Sequence, residues 1–136
     1  MVQQKEIILP PFGKGFHLIT RYIEREMTSL PKSGLINIYI KHTSAAISLV
    51  ENADPSVRID LENFFNKIIP EDHPVYTHNT EGSDDMPAHI KSSVFGVSLT
   101  IPISNAMLNL GIWQGVCLCE FRNNGGPRTL VITVIS

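Results

Sequence analysis

I-W-Q-G-V-C-L-C-E-F-R-N-N-G-G-P-R-T-L-V-I-T-V-I, Ile112–Ile135, is the stretch whose reading decides the fold. It holds two apolar, β-favouring runs, Ile112–Phe121 and Arg128–Ile135, separated by Asn123-Asn124-Gly125-Gly126-Pro127. Strand-forming runs on either side of an Asn/Gly cluster predict two strands joined as a hairpin. Just upstream, Val97, Leu99, Ile101 and Ile103 alternate with Ser98, Thr100 and Pro102, which predicts a further strand. Pro102 places that strand at an edge or at its own end, because proline cannot donate to a ladder. Asn109-Leu110-Gly111 reads as a turn.

Earlier segments mix the two periodicities. Val2–Leu9, ended by Pro10-Pro11, reads as a first strand, and Phe12-Gly13-Lys14-Gly15 as a turn. Ile19, Ile23, Met27 and Leu30 recur at helical spacing until Pro31. Leu35–Lys41 alternates Ile36, Ile38 and Ile40 with polar or amphipathic positions, and Thr43–Val50 continues as a strand after a bend. Asp54-Pro55 starts a helix, since Asp54 can cap free N–H groups and Pro55 suits the first helical turn. Val57, Leu61, Phe64, Phe65 and Ile68 then form one apolar stripe up to Pro70. A long loop follows to Asp85, and Met86-Pro87 opens a short helix over Ala88–Phe95 closed by Gly96. The pattern predicts one α+β domain over residues 1–136, an antiparallel sandwich or barrel-like sheet with two or three helices.

Composition narrows the function. With 43% apolar and 18% charged residues the chain is a globular type, and its formal net charge of −2 gives no basic footprint for nucleic acid. No apolar run spans a bilayer, and the first residues lack a signal-peptide pattern, so a cytoplasmic location is expected. Cys117 and Cys119, two apart in a strand, read as small buried side chains and not as a disulfide or zinc knuckle.

Chemistry-bearing residues gather in Tyr76–Gly96, where His78, His89, Glu81, Asp84 and Asp85 surround the start of the short helix. His42 lies at the end of an earlier strand. Three imidazoles with an open position form a catalytic zinc arrangement, so His42, His78 and His89 are candidate metal ligands, against the plain alternative of separate surface histidines. Asp84 and Asp85 suit either helix capping or a general-base and hard-cation role. Lys91, Arg122 and Arg128 are candidate cations for a phosphate. Glu120 and Arg122 share a strand face, and Trp113-Gln114-Gly115 combines an aromatic wall, a polar handle and room for close approach. Ser44 has no nucleophile-elbow context, so its candidate role is in binding.

Several segments together are similar to one family: H-T-S-A-A-I (His42–Ile47), E-N-A-D-P (Glu51–Pro55), D-D-M-P-A-H-I-K (Asp84–Lys91), L-G-I-W-Q-G (Leu110–Gly115) and C-E-F-R-N-N-G-G (Cys119–Gly126). The chain resembles the YjbQ family along essentially its whole length. That resemblance implies an α+β homotrimer with a histidine and carboxylate site near a subunit boundary, and a secondary thiamine-phosphate synthase activity. It implies site positions at His42, His78 and His89, with Asn52, Asp84, Trp113, Gln114 and Glu120 around them. The sequence departs from the family pattern at Phe121, where histidine is expected, and at Ala106 and Ile112, where glycine and threonine are expected.

Three functions compete. In a thiamine-phosphate synthase, His42, Asp84, Glu120 and Arg122 would be catalytic, and Ser44, Asn52, Trp113, Gln114 and Lys91 would bind the small phosphorylated substrates. A zinc or magnesium ion would stabilise the pyrophosphate leaving group. The second function is a metal-dependent hydrolase or lyase on another small phosphorylated or carbonyl compound. The third is a non-enzymatic trimeric module that binds a metal or anion.

Overall fold

The computed structural model describes all residues, Met1–Ser136. In chain order the elements are β1 (Val2–Leu9), β2 (Gly15–Leu18), α1 (Thr20–Glu26), β3 (Ser33–Ile40), β4 (Ala45–Glu51), α2 (Pro55–Ile68), α3 (Asp85–Phe95), β5 (Ser98–Ser104), β6 (Met107–Leu108), β7 (Gln114–Glu120) and β8 (Arg128–Ile135). They build two antiparallel sheets, one ordered β1-β8-β3-β5-β6 and the other β2-β7-β4. The fold is the expected α+β sandwich with three helices.

The two sheets face each other across the main core. Ile36, Ile38 and Ile40 from β3, Ile101 and Ile103 from β5, and Leu130, Ile132 and Val134 from β8 meet Ala45, Ile47, Val116 and Leu118 of the smaller sheet. Alternation in the larger sheet follows from one buried face. The smaller sheet is covered on its other face too, where Phe16, Ala46, Cys117, Cys119 and Phe121 pack with Ala88 of α3. Double coverage explains the unbroken burial of β7 from Gly115 to Glu120. Both cysteines are free and buried there, as small apolar side chains.

The expected hairpin is not formed. β7 and β8 lie in different sheets, and Asn123–Pro127 carries the chain from one layer to the other. β8 pairs instead with β1 and β3. A Cβ on Gly125 would stand 2.4 Å from Glu120 Oε1 and 2.6 Å from Arg128 Nη2, so this glycine is required by close approach and Gly126 by its φ of 71°. Glycines that signal a hairpin in sequence here serve a crossover around a buried ion pair.

Smaller differences have local causes. Gly15, read as the end of a turn, opens the strand Gly15–Leu18 because β7 offers it a ladder. α1 ends at Glu26, and Met27 and Leu30 pack on the core from the following loop. α3 begins at Asp85, with Pro87 inside its first turn. α2 matches the Asp54-Pro55 start, Asp54 accepting from Ser56 N at 2.9 Å. Its stripe is only lightly packed: Phe64 and Ile68 stay 57% and 53% exposed. No helix is long and apolar enough to cross a membrane.

Candidate functional site

α3 sets the frame of the site. Asp85 and His89 are four apart in its first turns and therefore lie on one face. Asp84 stands at the N-cap, yet its side chain makes no cap bond. It accepts instead from Asn123 N at 2.9 Å and from Arg122 Nε at 3.0 Å. Arg122, just beyond β7, also donates to the second oxygen of Asp85 and, at 3.0 Å, to the Glu81 carbonyl. One guanidinium thus ties the start of α3 to the loop before it and to the end of β7.

The loop brings His78 back over Asp85. His78 Nε2 lies 2.6 Å from Asp85 Oδ2 and 3.0 Å from Glu81 Oε2. His89 Nε2 lies 3.2 Å from the same Asp85 oxygen. Ligating atoms of His78, Asp85 and His89 all fall within 4.8 Å of one another. His89 Nδ1 sits 2.8 Å from the Thr43 carbonyl, which only accepts, so Nδ1 carries a proton. In a neutral ring, Nε2 then turns a lone pair toward Asp85. Two acceptors facing each other repel, and either a second proton or a cation relieves them.

Charge follows this geometry. The hydrogen bond to Asp85 raises the His78 pKa above 6.5, with the Asp85 and Glu81 charges adding to it. Partial burial opposes ionisation of Asp84, but the Asn123 N–H and Arg122 outweigh it and hold the carboxyl below its usual value of 3.8. Asp85 is likewise held down: burial is outweighed by the His78 hydrogen bond and the nearby positive charges.

The other candidates lie elsewhere. His42 Nε2 accepts from Thr129 N at 2.8 Å, so that nitrogen is already occupied, and the ring is not in the His78–Asp85–His89 group. Burial, then the Arg128 charge, lowers its pKa. Glu120 is fully buried and accepts from Arg128 Nε at 2.7 Å and Nη2 at 2.6 Å. Arg128 also reaches the carbonyl of Ser44. This pair joins β7 to β8 and leaves neither partner free. Lys91 is buried between α3 and α2, with Nζ at 2.5 Å from Asn66 Oδ1 and 5.7 Å from the Phe121 ring centre.

Asn52, Trp113 and Gln114 gather at the opposite end of the smaller sheet. Ala45 pairs with Glu120 at the histidine end and Glu51 with Gln114 at the far end, a separation of roughly 20 Å along β4. Asn52 donates to the carbonyls of Ile112 and Gln114, and Gln114 Oε1 accepts from Gly111 N, so both amides fasten the 109–114 loop. Gly115 is approached by Leu18 and Asn52 and not by open space. Trp113 is 60% exposed.

Sequence reading had Asp85 and Glu81 in the right cluster but not Asp85 at its centre. Its only signal was the four-residue spacing to His89 on a helix face. The role of Arg122 as a clamp had none, because its partners are remote in sequence.

Comparison with known proteins follows the same line. The family model described as "UPF0047 protein YjbQ-like" matches residues 5–136. The UPF0047 protein YjbQ of Salmonella typhimurium is 48% identical over 136 residues, 98% of each chain. The conserved hypothetical protein TT1486 of Thermus thermophilus has a similar structure, with a TM-score of 0.85 and 30% identity over 96% of this chain and 99% of that one. A YjbQ/UPF0047 protein of Clostridium acetobutylicum, solved at 1.31 Å, gives a TM-score of 0.84 at 32% identity, with 96% and 99% covered.

Proposed function

The chain belongs to the YjbQ-like UPF0047 family, and from that premise and the geometry above we propose that it is a metal-dependent enzyme of the hydrolase or lyase type. Its substrate would be a small carbonyl or phosphorylated compound. One observation carries the reading: Thr43 fixes the His89 tautomer so that Nε2 converges with His78 Nε2 on one oxygen of Asp85. Two imidazoles and one carboxylate suit a divalent transition metal, zinc first, with positions left open. A bound ion of this kind supplies Lewis-acid polarisation and acidifies bound water.

The chain's own residues supply the rest. Asp85 holds both histidines, and Arg122 holds Asp85 and Asp84 in place. Glu81, exposed beside His78, is the carboxylate placed to accept a proton at the site. The thiamine-phosphate synthase reading receives less support from the geometry. Its pyrophosphate needs free cations, but Arg122 and Arg128 are committed to carboxylates and Lys91 is buried on another face of α3. Trp113 lies at the far end of the sheet.

We also propose that the chain works as a homotrimer. The family resemblance, the 80% exposed Ile112 and the exposed Trp113 support this. A neighbouring copy could then bring its Trp113 end toward the histidine end of the first.

The test is elemental analysis of untagged protein beside His89→Ala, followed by turnover assays with carbonyl and phosphate-ester panels. Near-stoichiometric zinc or another transition metal in the parent, lost in the variant, is expected, together with metal-dependent turnover. Absence of metal from the parent, even after incubation with zinc, refutes the metal site. Bound metal without turnover leaves an assembly module in place of an enzyme.

A further inference from the structure

A cavity of about 280 Å³ adjoins the metal-ligand cluster and shares His78 with it. Its wall is polar, and its hydrogen-bond polarity is lopsided. Tyr76 donates its hydroxyl proton to the Pro70 carbonyl at 2.9 Å, so its oxygen is left to accept. Ser83 donates to Glu71 at 2.9 Å and is left as an acceptor in the same way. Asp72 adds a carboxylate. On the donor side, His73 accepts from Val75 N through Nδ1, which leaves its Nε2–H, and Asn79 offers an amide with no partner in the chain.

Charge points the same way. No lysine or arginine lines the cavity. Arg122 is bound to Asp84 and Asp85, and Lys14 lies 3.8 Å from Glu71, the carboxylate that Ser83 of the wall donates to. Glu81 adds a further negative group at His78. A phosphate ester brings an acceptor-only dianion to a wall rich in acceptors and negative charge. Along the wall away from His78, the Asp72 carboxylate and the accepting oxygens oppose it; only the His78 end, where the proposed metal would sit, offers positive charge. Hydroxyl groups donate to such a wall and add no charge.

We propose that this cavity binds a small uncharged polyhydroxylated carbonyl compound, of the simple sugar type, and presents it at His78. This names the substrate class of the site proposed above and rests on that reading for what the carbonyl meets there. Tyr76, Ser83 and Asp72 receive the hydroxyl protons, and Asn79 and His73 donate back.

The experiment follows the histidine ring signals by NMR in untagged protein of known metal content, titrated with D-xylose and with D-xylose 5-phosphate. D-Xylose should shift the His73 and His78 signals saturably and bind about tenfold or more tightly than the phosphate ester. Asn79→Ala, which removes no hydrogen bond within the fold, should weaken D-xylose binding. Equal or tighter binding of the phosphate ester overturns the proposal, and so does a lack of saturable shifts. The same titration on metal-stripped protein and on His89→Ala separates the two readings. Sugar binding by a protein that never takes up metal refutes the metal site and upholds the cavity. Metal uptake without sugar binding refutes the cavity alone.

Discussion

Ala106 shows how a single departure from the family pattern is written into the backbone. Asn105 and Ala106 have φ values of 52° and 60° in the turn between β5 and β6. Both positions of such a turn favour Asn or Gly, and a Cβ in left-handed backbone costs roughly 1–2 kcal/mol. Ala106→Gly is therefore expected to stabilise the protein by about 1 kcal/mol, read as a higher denaturation midpoint with an unchanged slope. Phe121, where histidine is expected, is buried against Phe16 and Phe95, so a histidine there would join that aromatic cluster and not the His78 group. Nothing in the structure explains Ile112. Lys91 is the costly residue. Burial first, then the Lys14 charge, lowers its pKa from 10.5 to about 8. Between those values the unfolded chain binds a proton that the folded chain lacks, so stability rises with pH across that window and carries the full penalty below it. Lys91→Met should flatten that rise and gain about 1 kcal/mol at pH 7, measured by urea denaturation at pH 7 and pH 10. None of this was legible in the sequence, where Lys91 looked like one more basic residue near a phosphate site.

Element boundaries were legible where local chemistry decides them. Asp54-Pro55 announces α2, and the alternation of Ile36, Ile38 and Ile40 announces β3, because each signal lies within a few residues. β2 was not legible, since Gly-Phe-His-Leu is a strand only through its pairing with β7. The histidine site was half legible for the same reason. Asp85 and His89 declare their common face by helical spacing, whereas His78 arrives on a loop with no period, and His42 is held apart by the amide of Thr129. Two glycines at element ends make the contrast measurable. Gly96, the C-cap of α3, has φ 97° and ψ 170° with nothing within 4 Å of a Cβ, so Gly96→Ala meets backbone strain alone, about 1–3 kcal/mol. Gly125→Ala drives a methyl into the Glu120–Arg128 pair. Breaking a buried pair costs about 3–5 kcal/mol, so thermal unfolding should rank Gly125→Ala well below Gly96→Ala. Equal losses would contradict the close-approach role of Gly125.

At the scale of the molecule, the sandwich was legible and the assignment of strands to sheets was not. Asn123–Pro127 carries the composition of a hairpin turn, and only the Glu120–Arg128 pair and the layering reveal a crossover. Trp113 is the single tryptophan, so intrinsic fluorescence reports the far end of the smaller sheet directly. In a homotrimer that covers this end, emission should be blue-shifted and should move to the red on dilution into monomers, in step with the mass from light scattering. Red emission from a species of trimer mass would place the subunit contact elsewhere.

The crossover also governs when the fold can exist. The larger sheet takes β1, β3, β5, β6 and β8, the smaller β2, β4 and β7, so the chain shuttles between layers and neither sheet is made from a contiguous stretch. β8 comes eighth in chain order, yet it sits between β1 and β3 and is the only ladder partner of β1. During synthesis β1 must wait, unpaired, until β8 has emerged. Long-range pairing of this kind makes for slow folding and a prolonged exposure of the Ile-rich strands before the larger sheet closes.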